Sequence, residues 1–230
     1  MKDFIRSIIR KFGYDVNYFG RFKILKHLAI DLVLDVGANQ GQYGKSLRRG
    51  GYRGNIISFE PLNSAFSQLK ICSKNDSLWK VNNYALGNKN TNSVINVSAN
   101  SYSSSILSMT NAHTNLSKES AFVDEQNIVV KTLDSVFENI VDNDKNIFLK
   151  IDTQGYEKKV LLGALNSLES IVGIQLEVSL IELYKDEDLF LDMINFLDSK
   201  GFKTISIESG FFDHKTGFLL QSDLIFVRKK

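Results

Sequence analysis

Asp35-Val36-Gly37-Ala38-Asn39-Gln40-Gly41 is the stretch on which the architecture of this 230-residue chain depends. An apolar run at residues 32–34 precedes it, and a segment suited to a helix follows it. The order strand, glycine turn, helix is typical of parallel sheets, in which the free N–H groups of the turn receive a ligand. Gly37 and Gly41 permit backbone angles and a close ligand approach that a side chain would prevent.

Three classes of ligand use such a turn. Nicotinamide cofactors need glycines as G-x-G-x-x-G or at the first, fifth and seventh places, and the glycines at 37, 41 and 44 fit neither pattern. Gly44-Lys45-Ser46 has the wrong glycine spacing for a phosphate-binding loop. The acid-x-Gly-x-Gly-x-Gly turn that binds S-adenosylmethionine fits better, with Asn39 in the central glycine place. A glycine turn without a ligand is the remaining alternative.

Composition narrows the class of protein. With 43% hydrophobic residues the chain can bury the core of a single domain. A net charge of +2 argues against a nucleic-acid binder, because there is no broad excess of Lys and Arg to neutralise phosphates. One cysteine and three histidines argue against a disulfide and a structural zinc site. We therefore expect a soluble cytoplasmic protein.

The first 27 residues differ from the rest. They hold seven basic and two acidic side chains, a net charge of +5, and their apolar residues recur at helical spacing between positions 4 and 12. No uninterrupted apolar core or cleavage site of a signal peptide is present. One interpretation is a helix on the inner face of an anionic membrane. The interpretation we favour is a helix packed on the domain (residues 28–230) or on a second copy in a homodimer.

A second strand at residues 55–60 ends in an acid. Pro61, the only proline, disfavours helix at Glu60 and keeps that residue extended. Glu60 lies 19 residues beyond Gly41, where such folds place the acid that binds the two hydroxyls of a ribose. A solvated acid at a strand end is the alternative. Residues 63–73 are predicted as a helix with Asn63 as its N-cap.

The chain between residues 79 and 127 contributes weaker signals. Residues 79–87 are predicted as a third strand, whose exit at Asn83, Tyr84 and Ala85 could reach an adenine edge. Residues 88–127 are rich in Asn and Ser, and we interpret them as a polar binding or lid loop with one strand near residue 95. Such a loop suits a polar substrate, although the same composition is found in any solvated loop.

A third informative stretch is Lys150-Ile151-Asp152-Thr153-Gln154-Gly155-Tyr156-Glu157. It reads as the end of a strand followed by a glycine turn and a helix over residues 157–168, which places Asp152 at the ligand edge of the sheet. Asp152 could be a general base, a metal ligand or a cofactor contact, or only the N-cap of the helix. A further strand at residues 171–178 carries Glu177 near its end.

The complete pattern predicts an α/β protein. A helix over residues 186–199 and two strands at 202–207 and 224–227 follow. The predicted fold is a Rossmann-like class I methyltransferase, with a seven-stranded, mostly parallel sheet and helices on both faces.

These stretches together resemble the FkbM family of S-adenosylmethionine-dependent methyltransferases. Six motifs occur in family order: the turn at residues 35–41, Phe59-Glu60-Pro61, Ala85-Leu86-Gly87, Ser104-Ser105-Ile106-Leu107, Thr132-Leu133-Asp134 and the stretch at residues 150–157. The resemblance implies methyl transfer to an oxygen, commonly a hydroxyl of a sugar, a glycan or a secondary metabolite. It does not cover residues 1–27.

The site is predicted as follows. The cofactor-binding residues are Asp35, Gly37, Ala38, Asn39, Gly41, Glu60, Pro61, Asn83, Tyr84, Ala85 and Asp152. The candidate catalytic residues are Asp152, then Glu177, and Lys150, which could orient a carboxylate, lower the pKa of the acceptor or only pair with Asp152. The candidate substrate-binding residues are Ser104, Ser105 and Tyr156. A divalent metal ion at Asp152 is left open.

Two other functions compete with this hypothesis. The first is a nicotinamide-dependent oxidoreductase or epimerase acting on a nucleotide-sugar, in which Glu60 would bind the ribose equally well; the glycine spacing argues against it. The second is a non-catalytic module that binds S-adenosylmethionine without transferring its methyl group.

Overall fold

The structure, a computed structural model, describes residues 20–100, 102–141 and 146–229. The amphipathic helix predicted near the N-terminus lies outside these residues. Within the described part of the chain, no helix is both long enough and apolar enough to cross a membrane.

The described elements alternate between strands and helices. In chain order they are α1 (Arg21–His27), β1 (Leu32–Val36), α2 (Gln42–Arg49), β2 (Asn55–Phe59), α3 (Asn63–Ser73), β3 (Trp79–Asn82), β4 (Ala85–Leu86), β5 (Thr91–Ser98), α4 (Asn111–Leu116), β6 (Phe122–Lys131), α5 (Leu133–Ile140), β7 (Ile147–Ile151), α6 (Glu157–Leu162), β8 (Ile171–Ser179), α7 (Phe190–Ser199), β9 (Phe202–Ser209) and β10 (Gln221–Arg228). Short 3-10 helices at Lys118–Ser120 and Ser167–Ser170 complete the set.

The main sheet has seven strands in the order β3-β2-β1-β7-β8-β10-β9. β10 runs antiparallel to both of its neighbours, and the other strands run parallel to one another. This arrangement confirms the predicted seven-stranded, mostly parallel sheet. The order reverses between β1 and β7, so the carboxyl ends of these strands open a crevice at which ligands bind in such sheets.

Helices cover both faces of this sheet. Alternate residues of a strand point to opposite faces of the sheet. Because both faces are covered by helices, the central strands β1 and β7 are buried along their whole length. One face packs on α1, α2 and α3 through Leu25, Leu47 and Leu69. The other face packs on α5, α6 and α7, where Val160 and Leu197 are buried.

A second, three-stranded sheet with the order β4-β6-β5 lies beside the first. β5 is the strand predicted near residue 95, and the first six residues of β6 also fall in the segment 88–127 that was predicted as a polar loop, with the short helix α4 between them. Three apolar residues, Ile95, Ile128 and Val130, anchor this sheet against Leu62 and Ala65. Because most other side chains of β5 and β6 are polar or exposed, the sequence pattern carries little strand signal there.

Several predicted element boundaries differ from the structure. Asn63 is the first residue of α3 rather than its N-cap; Glu60 accepts a hydrogen bond from the Leu62 N–H (2.8 Å) just ahead of the helix. The predicted third strand divides into β3 and β4 at Asn83, whose amide donates to the carbonyls of Glu60 and Pro61. The helix predicted over residues 157–168 ends at 162, and the one predicted over 186–199 begins at 190.

Gly44 lets α2 approach the sheet closely. A Cβ added at Gly44 would lie 2.2 Å from the ring of Trp79, which is 6% exposed. The indole cannot move aside easily, because its Nε1 donates to Ser58 Oγ (2.9 Å) in the buried part of β2. The distance between α2 and the sheet is therefore set by a residue without a side chain.

We expect Gly44→Ala to lower the free energy of unfolding by ~2 kcal/mol, since overpacking a rigid core costs about 1–3 kcal/mol and exceeds the gain in helix propensity. Urea unfolding followed by circular dichroism measures this change. Gly20→Ala is the matched control, because a Cβ there would meet no atom within 4 Å. Equal stability of Gly44→Ala and the unchanged chain would contradict the packing described here.

Candidate functional site

A cleft of about 210 Å³ opens at the carboxyl ends of β1, β2, β7 and β8. Tyr102, Ser104 and Ile106, from the segment that follows β5, form part of its lining. Its lining consists of Val36, Gly37, Asn39, Phe59, Glu60, Pro61, Leu62, Ala85, Leu86, Ile95, Tyr102, Ser104, Ile106, Asp152, Thr153, Gln154, Tyr156 and Glu177. The cleft thus brings together residues of five of the six sequence motifs, from the turn at residues 35–41 to the stretch at residues 150–157, and adds Glu177.

The turn after β1 is built around a contact between two backbones. Gly37 has a φ of 75°, and a Cβ added there would lie 1.8 Å from the Asp152 carbonyl oxygen. The Asp152 N–H in turn donates to the Val36 carbonyl oxygen (3.1 Å). Only glycine permits this approach, which sets the Asp152 end of β7 directly beside the turn.

Glu60 joins the second strand to the same turn. Its Oε2 accepts a hydrogen bond from the Asn39 N–H (2.8 Å), and its Oε1 accepts from the Leu62 N–H. Asn39 makes this bond from a left-handed backbone with a φ of 45°. Burial raises the pKa of Glu60 to about 7, although the two N–H donors work in the opposite direction. Each carboxylate oxygen keeps a lone pair with which to accept a hydroxyl of a ligand.

Asp35 has a different position from the one expected of a cofactor contact. Its side chain is fully buried and does not line the cleft. Ser58 Oγ donates to its Oδ2 (3.1 Å), and the Lys150 ammonium lies 3.3 Å from its Oδ1. The hydroxyl and the ammonium that lie beside Asp35 both belong to the protein itself.

Lys150 is held between two carboxylates. Its Nζ lies 3.3 Å from Asp35 and 3.4 Å from Asp152, and it also donates to the Gly37 carbonyl oxygen (3.3 Å). Burial acts to lower the pKa of Lys150, but Asp152 and Asp35 outweigh burial and raise it above its ordinary value. Lys150 stays charged and is positioned to orient Asp152.

Asp152 and Glu177 are the two acids of the cleft. The Asp152 side chain is 36% exposed, and its Oδ1 accepts a hydrogen bond from Gln154 Nε2 (2.9 Å). Glu177 Oε2 accepts from the same nitrogen (2.8 Å) and from Gln221 Nε2 (3.1 Å). Burial, followed by the neighbouring Asp152, raises the pKa of Glu177 well above its usual range.

A second, polar compartment of about 280 Å³ adjoins the cleft. The two share Gly37, Asn39, Tyr102 and Asp152. Away from the shared residues, the second compartment is lined by Arg21, Ala38, Gln42, Tyr43, Ser46, Lys150, Gln175 and Asp223. The polar lining of the cleft therefore extends past Asp152 into this second compartment.

The structure divides the predicted site residues into two groups. Those that line the cleft are Gly37, Asn39, Glu60, Pro61, Ala85, Ser104, Asp152, Tyr156 and Glu177. Those that do not line it are Asp35, Ala38, Gly41, Asn83, Tyr84, Ser105 and Lys150.

The predicted residues outside the cleft support its walls. Gly41, with a φ of 86°, begins α2 against Trp79. Tyr84 packs on Phe59 with ring centroids 5.5 Å apart. Ser105 Oγ donates to the Gln154 carbonyl oxygen (2.6 Å), so it acts on the site through the backbone.

Sequence reasoning missed two kinds of cleft residue. The apolar lining residues Leu62 and Ile95 carry no sequence signal, whereas Ile106 stands in the recognised motif at residues 104–107 but was not predicted as a site residue. Gln154 stands inside a motif that was recognised, and its polar side chain next to Asp152 in a strand-to-helix turn was a usable signal. Over the described residues, no group of three or more His, Cys, Asp or Glu side chains is arranged to hold a metal ion.

Comparisons with known proteins agree with this geometry. A family model described as the methyltransferase FkbM domain matches residues 35–204. No curated protein matches the chain. Many solved structures share its fold, among them a 1,6-didemethyltoxoflavin-N1-methyltransferase from Burkholderia thailandensis with bound S-adenosylhomocysteine (8% identity, TM-score 0.52, 92% of this chain and 78% of that chain). A TehB-like S-adenosylmethionine-dependent methyltransferase from Corynebacterium glutamicum is 12% identical (TM-score 0.46, 99% and 97%). The predicted fold class is confirmed.

The buried acids make stability depend on pH. Burial raises the pKa values of Glu60 and Glu157 to about 7, against 4.5 in an unfolded chain. The folded state then binds more protons than the unfolded state, so the free energy of unfolding falls as pH rises from about 5 to about 8, by up to ~1.4 kcal/mol per pH unit for each acid. We expect Glu60→Gln to flatten this slope.

Urea unfolding at four pH values between 5 and 8 measures the slope. Glu138→Gln, a change at an exposed acid of α5, is the control that should leave the slope unchanged. A Glu60→Gln slope equal to that of the unchanged chain would show that Glu60 is not buried as described.

Proposed function

The chain belongs to the FkbM methyltransferase family, and we propose that it transfers a methyl group from S-adenosylmethionine to a hydroxyl oxygen of a sugar or glycan. Methyl transfer from this donor is the activity of the family. The observation that carries the choice of a hydroxyl is Asp152: a carboxylate that faces the cleft and is fixed by Lys150 and Gln154. A hydroxyl is a poor nucleophile, and a carboxylate in this position can remove its proton.

The described cleft fits the methyl donor. The Glu60 carboxylate, 5% exposed, is aimed into the cleft with free lone pairs for the two hydroxyls of a ribose. Gly37 lines the cleft without a side chain. Pro61, Leu62 and Ala85 give an apolar wall for an adenine ring. When bound, S-adenosylmethionine supplies a methyl group on a positively charged sulfur, which departs as a neutral thioether.

Asp152 has the role of general base. As the bond between the acceptor oxygen and the methyl carbon forms, the hydroxyl proton moves to the Asp152 carboxylate. Lys150 and Gln154 fix the two sides of this carboxylate, so the correct orientation exists before the acceptor binds. This arrangement removes the cost of ordering the base during the reaction.

The remaining polar lining suits a sugar. Tyr102, Ser104 and Thr153 contribute hydroxyl groups to the cleft, and the adjoining polar compartment adds amide and carboxylate groups. Sugars bind through many hydrogen bonds of this kind. The polar lining supports a sugar or glycan as the acceptor.

Binding of the donor is tested by calorimetric titration with S-adenosylhomocysteine and, separately, with NADH. We expect micromolar binding of the sulfur compound alone, and at least tenfold weaker binding by Glu60→Gln, because one hydrogen-bond acceptor for the ribose is lost. Glu138→Gln should bind as the unchanged chain does. Binding of NADH instead would contradict the assignment of the donor.

Transfer is tested with methyl-labelled S-adenosylmethionine and a panel of free sugars, nucleotide-sugars and oligosaccharides. We expect Asp152→Asn to lower turnover at least 100-fold, since a general base contributes about 10²–10⁴-fold. Its affinity for S-adenosylhomocysteine should stay within threefold. Transfer to no hydroxyl acceptor by the unchanged chain, despite donor binding, would indicate a different acceptor class or a binding module.

A further inference from the structure

The side chain of Gln154 connects both acids of the cleft. Its Nε2 donates to Asp152 Oδ1 (2.9 Å) and to Glu177 Oε2 (2.8 Å). Its Oε1 accepts a hydrogen bond from the Tyr184 hydroxyl (2.8 Å), and Tyr184 is fully buried. The two carboxylates fix the orientation of the amide, because they accept only from its nitrogen, and the amide oxygen is left to accept from the tyrosine hydroxyl.

The backbone of Gln154 is held as firmly as its side chain. Its φ is 56°, in the left-handed region that costs a residue with a Cβ about 1–2 kcal/mol. The carbonyl accepts the short hydrogen bond from Ser105 Oγ, and a Cβ added at the adjacent Gly155 would lie 2.8 Å from the Cβ of Tyr184. The structure thus maintains an unfavourable backbone conformation at the residue that joins the two acids.

The surroundings of Glu177 oppose its ionisation. Carboxylates face it from three elements: Asp152 at the end of β7, Glu157 on α6 and Asp223 on β10. Its donors, Gln154 and Gln221, both bind Oε2. A proton retained by Glu177 therefore sits on Oε1. Asp152, by contrast, lies beside the Lys150 ammonium.

We propose that Gln154 is a positioning residue for methyl transfer, whose amide holds Asp152 and Glu177 as a unit made of one proton acceptor and one hydrogen-bond donor. In this unit, Asp152 takes the proton of the hydroxyl that is methylated, and Glu177 Oε1 donates a hydrogen bond to the neighbouring oxygen. A vicinal diol of a sugar has the complementary pair of groups. The inference rests on the proposed function and narrows its acceptor to sugars with adjacent hydroxyls.

The test uses Gln154→Gly in the full chain. The substitution removes the side-chain amide, and glycine adopts a left-handed backbone without steric cost. The change therefore affects the side-chain hydrogen bonds and leaves the backbone of the turn as it is. Asp186→Gly is the matched control: Asp186 also has a positive φ (60°) but is exposed and does not line the cleft. Gln154→Asn, which tolerates the same backbone but is one carbon shorter, replaces Gln154→Gly if that variant does not fold.

The first measurement needs no acceptor. Carbon-13 NMR of the labelled side-chain carboxyl groups follows the titration of Glu177, whose signal is identified by its loss in Glu177→Gln. We expect the pKa of Glu177 to be higher in Gln154→Gly than in the unchanged chain, because a donor to the ionised form is gone, and to be unaltered in Asp186→Gly. An unaltered pKa in Gln154→Gly would overturn the proposal.

The second measurement is turnover with a sugar bearing a vicinal diol and with its monodeoxy analogue. We expect Gln154→Gly to lower kcat at least tenfold, to leave the KM for S-adenosylmethionine within threefold, and to lose the preference for the diol. An unchanged kcat would overturn the positioning role even if the pKa of Glu177 changes in the NMR titration. If the unchanged chain methylates no hydroxyl, the proposed function fails, and the NMR measurement alone decides whether Gln154 holds the acids together.

Discussion

The structure depends on one backbone contact, at which the glycine turn after β1 meets the end of β7. Gly37 leaves no room for a Cβ beside the Asp152 carbonyl oxygen. This contact places the acid after β7 next to the turn, and Asn39 in the same turn binds Glu60 at the end of β2. Residues from three strands are thereby positioned by main-chain atoms, which have few alternative conformations. A methyl donor and its acceptor need this degree of fixed geometry, because the reaction requires an in-line approach.

Buried charge is the second constraint on this site. Lys150 lies between Asp35 and Asp152, while Glu60 and Glu157 are buried, Glu177 is partly buried, and the pKa values of these three glutamates lie above their ordinary range. Burying carboxylates costs stability, and a fold does not need so many at one sheet edge. Glu60 and Glu177 are the two of these three glutamates that line the cleft, and ionisable groups with shifted pKa values cluster at functional sites.

The strands of the second sheet are hard to predict from the pattern of apolar and polar residues. β5 and β6 pair along eight residues, yet only a few apolar side chains anchor them on the domain. Their pairing satisfies backbone hydrogen bonds, a contribution that leaves little trace in side-chain pattern. The same sheet supplies Ile95 and carries the segment with Tyr102 and Ile106 over the cleft. The lining that this sheet gives to the cleft is thus harder to predict from sequence than the glycine turn.

The sequence by itself determined the order of strands and helices, the glycine turn and the two acids, Glu60 and Asp152, that follow β2 and β7. These features are local, since they need only apolar runs, glycines and a proline at the right spacing. Only the tertiary structure decided which acids reach the cleft. Asp35 lies within β1, paired in register with Lys150 and Ser58, so its neighbours cover it. Asp152 lies one residue beyond the end of β7, so its side chain is free to face the cleft, and Gln154 can join it to Glu177 only because β7 and β8 are adjacent strands.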